Sequence, residues 1–247
     1  MGTPWDATTY DRTSQPQQAW ALDVLARLEG ISQDATVLDV GCGTGRVTES
    51  LLELVPRGRV LAIDASPEMV KLARQRLGER AQVWCQDALE LDLSEPVDAI
   101  FSTATLHWVT DHDRLWQRLA HALSPGGRLE VQCGGHGNIA GVREVIEAAV
   151  REVAPQLLGW SPWEFAGPEE TQQRLREAGF VEERCWLQER PTHPEDVAAF
   201  VRTSILAAHL DRLPEDQREA FASMVTADVR PPLDYVRLNV SAVRGQG

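Results

Sequence analysis

The chain of 247 residues is 43% hydrophobic and 25% charged, an ordinary globular composition long enough to bury a full core. Its formal net charge of −13 lends no general attraction toward a nucleic-acid backbone or an anionic membrane. Lys71 is the only lysine, which excludes a P-loop Gly-Lys-[Ser/Thr] and any other Schiff-base lysine.

A polar leader over 1–15 carries Trp5 and Tyr10 and lacks the basic and apolar regions of a secretion signal. Residues 16–29 put Trp20, Val24, Leu25 and Leu28 on one helical face. Strand-like runs then alternate with helical ones. Strands are expected over 36–40, 59–64, 81–87, 97–104 and 128–134, with helices over 45–55, 66–78 and 112–123 between them. The helix over 66–78 has Ser66 as N-cap, Pro67 in its first turn and Gly78 as its stop, and "SPGG" reads as a turn before the fifth strand. Five strands separated by helices imply a largely parallel sheet covered on both faces. A helix over 140–154, an aromatic loop over 155–168 and a helix over 169–180 follow. A strand over 181–188, a mostly helical stretch over 194–229 and a last strand over 234–243 complete the chain. No apolar stretch approaches a membrane span. Cys42, Cys85, Cys133 and Cys185 lie far apart with no C-x-x-C pair, so small buried hydrophobes are expected rather than a disulfide framework or a metal site.

The stretch "VLDVGCGTGRV" at 37–47 sets Gly41, Gly43 and Gly45 at alternate positions where the first strand ends. In an open parallel sheet, ligands bind beyond the carboxyl ends of the strands. Glycines there let ligand atoms approach the backbone, and the following helix offers its N-terminal amides. Asp64 closes the second strand roughly 20 residues on, the spacing of a carboxylate that accepts both ribose hydroxyls. A dinucleotide fingerprint is G-x-G-x-x-G, but the sixth position here is Arg46. Asp39, two residues before Gly41, would repel a pyrophosphate and suits a ligand carrying an ammonium or sulfonium. Asp87, at the end of the third strand and followed by Ala88, supplies an acceptor for an adenine amino group. Three acidic strand ends around a glycine loop fit S-adenosylmethionine better than NAD. An NAD-dependent reductase of the short-chain type would also need a lysine four residues after Tyr10 or Tyr235, and neither has one.

The segments "VLDVGCGTGRVTESLL", "VLAIDASPEMVKLAR", "QDALEL", "VDAIFSTATLHWVTDH" and "LSPGGRLEVQ" resemble the successive motifs of class I S-adenosylmethionine-dependent methyltransferases over 36–134. "TATLHWVTDH", "PGGRLEVQCGG" and "PEETQQRLREAGF" together are similar to the trans-aconitate methyltransferase group, and juvenile-hormone acid methyltransferases share "LHWV". The resemblance implies an α/β fold: a Rossmann-like seven-stranded, mostly parallel sheet with helices on both faces and a helical cap. It divides the chain into an N-terminal lid and helix (1–30), a cofactor-binding core (31–135), and cap helices with the last two strands of the same sheet (136–247). Asp39, Gly41, Gly43 and Gly45 would surround the methionine part of S-adenosylmethionine, and Asp64 would hold the ribose. Ala65 and Met69 would flank the adenine with Asp87 and Ala88 at its edge, Thr103 would complete the set, and Tyr10 and Trp5 would close over it.

Methyl transfer is an in-line displacement, so the residues after the fourth strand face the acceptor. His107 could deprotonate a hydroxyl or amine, hydrogen-bond a carboxylate, or simply bind backbone at a helix start, with Trp108 beside it as a wall. His136 and Asn138, on the glycine loop after the fifth strand, and Trp160 and Trp163, in the aromatic loop, are further substrate candidates. The arginines Arg143, Arg202 and Arg237 show no clustering that would bind a tricarboxylate. The expectation is a cytoplasmic monomer or homodimer that methylates a small molecule without a metal, on a carboxylate like that of trans-aconitate. A natural-product hydroxyl or amine is the alternative acceptor, and a reductase or a non-catalytic cofactor-binding protein remain as other classes.

Overall fold

Buried parallel strands need apolar residues on both faces, and β1 (Thr36–Val40) has them. Val37 packs toward one helical layer, while Leu38 and Val40 pack toward the other. A computed structural model of the chain describes residues 15–246; Trp5 and Tyr10, expected to close over the site, lie outside them. Around β1 run β2 (Arg59–Asp64), β3 (Gln82–Cys85), β4 (Val97–Thr103), β5 (Leu123–Gly134), β6 (Phe180–Glu189) and β7 (Val236–Arg244). They form one seven-stranded sheet in the order β3-β2-β1-β4-β5-β7-β6. β1 to β5 pair in parallel, and β7 enters antiparallel between β5 and β6.

On one face lie α1 (Gln15–Leu25), α2 (Arg46–Leu54) and α3 (Pro67–Leu77). Val24, Leu51, Val70, Ala73 and Leu77 meet Val37, Ala62 and Phe101 there. On the other face α4 (His112–Ala122) and α6 (Pro168–Glu177) bring Leu115, Trp116, Leu119 and Leu175 onto Leu38, Ile100, Val131 and Val240. Full burial of each such side chain stabilises the fold by about 1.5–3 kcal/mol. A third cluster joins α5 (Ala140–Val153), α7 (Val197–Ser204), α8 (Ala207–Arg212) and α9 (Glu215–Asp228) into a cap that includes Trp20, Trp163 and Tyr235.

Local signals place the element ends well. The Ser66 side chain accepts from the Met69 N–H at 3.4 Å, Pro67 opens α3 and Gly78 ends it. The expected turn at "SPGG" is instead absorbed into β5, whose register with β4 jumps between Val97↔Leu123 and Ala99↔Arg128. A bulge of that size turns the chain while the strand goes on, so the strand starts at Leu123, directly after the helix ends at Ala122. Nor are the cysteines uniformly buried: Cys42 and Cys133 are, whereas Cys85 is exposed and Cys185 intermediate, and all four are free. No helix among the described residues is long and apolar enough to cross a membrane.

Candidate active site

Strand order reverses between β1 and β4, with β2 and β3 on one side and β5 on the other. A cavity of about 770 Å³ opens at the carboxyl ends of these strands, where such a switch point splays the connecting loops apart. It falls within the range of small-ligand sites, roughly 300–1,000 Å³.

One wall is the loop after β1. The N–H groups of Gly41 and Cys42 both donate to Ile63 O, at 2.8 and 2.9 Å, which ties the loop to β2. Gly41 has φ +77°, and a Cβ there would lie 2.1 Å from the Thr105 side chain, so no larger residue fits. Gly43 has φ +54° and nothing within 4 Å of where its Cβ would stand. Gly45 instead presses on α3, where a Cβ would meet Leu77 at 2.9 Å. Of the three alternating glycines, Gly41 and Gly43 line the cavity, and of these Gly43 has open space where a Cβ would stand; Gly45 packs on α3 instead.

The carboxylates stand at the strand ends. Asp64 accepts the N–H of Gly43 at 2.9 Å on one oxygen and that of Ser66 at 2.8 Å on the other. A carboxylate oxygen has two lone pairs, so each can still take a ribose hydroxyl. Burial raises the Asp64 carboxyl above its ordinary range, with the Ser66 and Gly43 N–H groups pulling it back. Asp39 is buried and accepts the Thr48 hydroxyl at 2.7 Å. Burial pushes it up to about 7 against that hydrogen bond, with the charge of Asp64 adding to the rise. Asp87 caps the short turn Ala88–Glu90 by accepting the Leu89 N–H at 2.9 Å. Ala65, Met69, Ala88 and Thr103 line the same space. Ala104 has φ 55°, a strained conformation for a residue with a Cβ. It turns the chain so that the Thr105 hydroxyl comes within reach of Gly41 O at 3.2 Å. A space before Gly43, edged by three carboxylates, fits a nucleoside that carries positive charge.

The opposite wall belongs to the cap and the segment after β4. Trp108, Trp160, Pro162 and Ala208 give it an apolar surface, and Asp211 and Arg212 stand with them. The Arg212 guanidinium lies 4.3 Å from the centroid of the Trp160 ring.

Four residues expected at the substrate are placed elsewhere. His107 is buried behind Trp108, stacks on Phe165 at 5.7 Å, and accepts the Gly134 N–H on Nδ1 at 3.2 Å. Burial holds its imidazole well below the usual histidine value, with the positive charge of Arg237 adding to the effect. It does not line the cavity, because the short turn Leu106–Trp108 points neighbouring side chains in different directions. Asn138 is buried and accepts the Val236 N–H at 2.9 Å, tying the loop after β5 to β7. His136 is exposed, and its N–H donates to Ala166 O. Trp163 backs the wall, 5.7 Å from Trp108 and 5.2 Å from His209. Sequence reasoning passed over Thr105, Ala208, Asp211 and Arg212, and for the last three no motif within the helical stretch 194–229 marks them.

Among the described residues no three His, Cys, Asp or Glu side chains gather as a metal site would need. Residues 37–127 match the family model described as a methyltransferase domain. The trans-aconitate 2-methyltransferase of Azoarcus sp. (strain BH72) is 30% identical over 238 residues, 91% of this chain and 89% of that one. That of Methylobacterium nodulans is 34% identical over 183 residues, 74% of this chain and 67% of that one. The structure of Haemonchus contortus phosphoethanolamine N-methyltransferase 2 in complex with S-adenosyl-L-methionine is alike with a TM-score of 0.65 at 17% identity, over 97% of this chain and 57% of that one. That last likeness is one of fold.

Proposed function

The chain belongs to the trans-aconitate methyltransferase group of class I S-adenosylmethionine-dependent methyltransferases, and from that premise we propose that it methylates a carboxylate oxygen of a small acid. The reductase and the non-catalytic readings give way to this membership. S-adenosylmethionine supplies an electrophilic methyl group on a sulfonium sulfur when bound. Asp64 would accept the ribose hydroxyls, Asp39 would balance the positive charge, and Gly43 would let the methionine part lie against the backbone. Ala65 and Met69 would border the adenine, with Asp87 and Ala88 at its edge and Thr103 near the transferring end. Trp108 and Trp160 would exclude water and align the acceptor oxygen, which is the protein's main contribution to an in-line displacement.

The observation that carries the carboxylate reading is the hydrogen bond at His107. Its Nδ1 lone pair is taken by the Gly134 N–H, so in the neutral ring the proton sits on Nε2 and no basic nitrogen is left for a substrate. A carboxylate is already ionised at neutral pH and needs none. The names of the two relatives point to the same class of acceptor. A phenol would also suit the two tryptophans, but its proton must leave before attack. Turnover of a panel of acids, phenols and amines by the full chain, with products identified by mass, is the test. Methyl esters as the main products are expected; ethers or methylamines from a panel whose acids stay untouched would overturn the reading.

A further inference from the structure

Among the described residues two cations line the cavity, one after the glycine loop and one on the cap. Arg46 opens α2 behind the glycine loop and already has a partner. Arg212 ends α8 on the cap wall, and among the described residues its one side-chain partner is the Trp160 ring. We propose that Arg212, held over the Trp160 ring, anchors a second carboxylate of the substrate, so that the preferred acceptor is a diacid gripped at one end and methylated at the other. This rests on the carboxylate reading above and names the residue that selects among acids.

Charge along the cavity is the first support. Asp39, Asp64 and Asp87 make the strand-end side acidic, which suits a cationic cofactor and repels an anion. An anionic group not undergoing reaction is therefore driven away from that side, and Arg212 is the cation it meets on the cap wall. With a net charge of −13 on the whole chain, a polyanion gains nothing from the protein at long range. Its orientation has to come from a local contact.

The geometry of the cation is the second. The Arg212 guanidinium, 4.3 Å from the Trp160 ring centroid, is attracted by the ring face and still has N–H groups to offer a ligand as a two-point fork. Carboxylates match that fork. Stacking also fixes much of the side chain before any ligand arrives, so less freedom is lost on binding. Trp108, Trp160, Pro162 and Ala208 line the same cavity as this fork and the glycine loop, an apolar surface for the carbon skeleton joining the two carboxylates.

The test compares parent, Arg212→Gln and Arg212→Lys with three acids: trans-aconitate, suberate and monomethyl suberate. Affinity for S-adenosylhomocysteine is measured alongside and is expected to stay unchanged, which shows each variant folded with its cofactor site intact. For diacids Arg212→Gln is expected to raise KM about 10- to 100-fold, the range for hydrogen bonds to a charged group, with kcat within about threefold. Preference for suberate over its half ester should vanish in that variant, and Arg212→Lys, a point charge without the fork, should recover part of it. Acids methylated by the parent with KM and preference unaltered in Arg212→Gln would overturn the anchor and leave the carboxylate reading standing. If the parent methylates phenols or amines but no acid, both fall. If it turns over nothing, calorimetry of trans-aconitate and suberate into the protein loaded with S-adenosylhomocysteine decides. Binding that is absent, or equal in parent and Arg212→Gln, overturns the anchor.

Discussion

His107 and Trp108 are neighbours in the chain, yet one is packed behind the wall and the other forms it. A neutral, buried imidazole whose Nδ1 accepts from backbone holds the end of β5 in place. His107→Gln keeps an acceptor there, so turnover is expected to stay within about tenfold of the parent, below the 10²–10⁴-fold typical of a general base. At saturating S-adenosylmethionine the parent rate should show no titration near the free histidine value of ~6.5. A thousandfold loss with cofactor affinity intact, and a rate rising through that pH, would make His107 a base. Asp39 is the group whose titration should be visible. Its carboxyl, raised to about 7, is largely protonated below that pH, whereas a bound cation favours the carboxylate. S-adenosylmethionine affinity should therefore be fullest above about pH 7 and fall as pH drops through it, by up to about tenfold per unit. Calorimetry across that range is the measurement, and Asp39→Asn should flatten the profile.

At the level of elements, the loop after β1 depends on a carboxylate supplied by β2. Asp64 holds Gly43 and the start of α3 through two backbone N–H groups, and its remaining lone pairs would take a ribose. Asp64→Ala is expected to weaken cofactor binding by roughly 1.5–3 kcal/mol, the range for hydrogen bonds to a charged group. Gly43→Val should do worse, because φ +54° is strained for a branched side chain and the new methyls fill the open space. Isothermal titration with S-adenosylhomocysteine checks both, and parent-like affinity in both variants would remove the cofactor from this loop. Ser66→Ala removes the cap of α3 and should lower stability by about 1 kcal/mol in denaturant unfolding. Most element boundaries were legible from such local chemistry: a cap, a proline, a glycine stop. The long β5 was not, because "SPGG" has the composition of a turn whether it reverses the chain or bulges within a strand.

Taken whole, the molecule sets a sheet against a helical cap and puts the cavity between them. His209 sits in that cap between Trp160, Trp163 and Phe221, and burial lowers its imidazole to about 4. Its neutral form is favoured in the fold, so its contribution is intact above about pH 6.5 and lost as pH falls toward 4. The limit of that loss is about 3 kcal/mol. Asp39 and Asp64, with raised carboxyls, bind protons in the fold and act in the opposite sense. The His209 effect is therefore read as a difference. Urea midpoints for the parent should decline more steeply between about pH 7 and 5 than those for His209→Phe, which keeps a ring but cannot charge. Parallel slopes would mean that the cap opens before the imidazole protonates.

What the sequence by itself determined is the half of the cavity at the strand ends. Strand, glycine loop, helix and acidic strand end follow one another within a short span, so spacing along the chain is also spacing in the fold. Asp39, Gly43, Asp64, Met69 and Asp87 were readable for that reason, and all of them line the cavity. Only the tertiary structure decided the half formed by the cap. Trp108, Trp160, Ala208 and Arg212 come from distant segments, and the packing of α7, α8 and α9 chooses which of their faces meets the sheet. Periodicity tells which side of a helix is apolar, but not what that side looks onto. It also cannot separate adjacent side chains in a short turn, which is how His107 came to stand for a site that Trp108 lines. The insertion of β7 between β5 and β6 is of the same kind: a strand's residues specify its pleat, whereas its place in the sheet depends on partners the chain reaches only when folded.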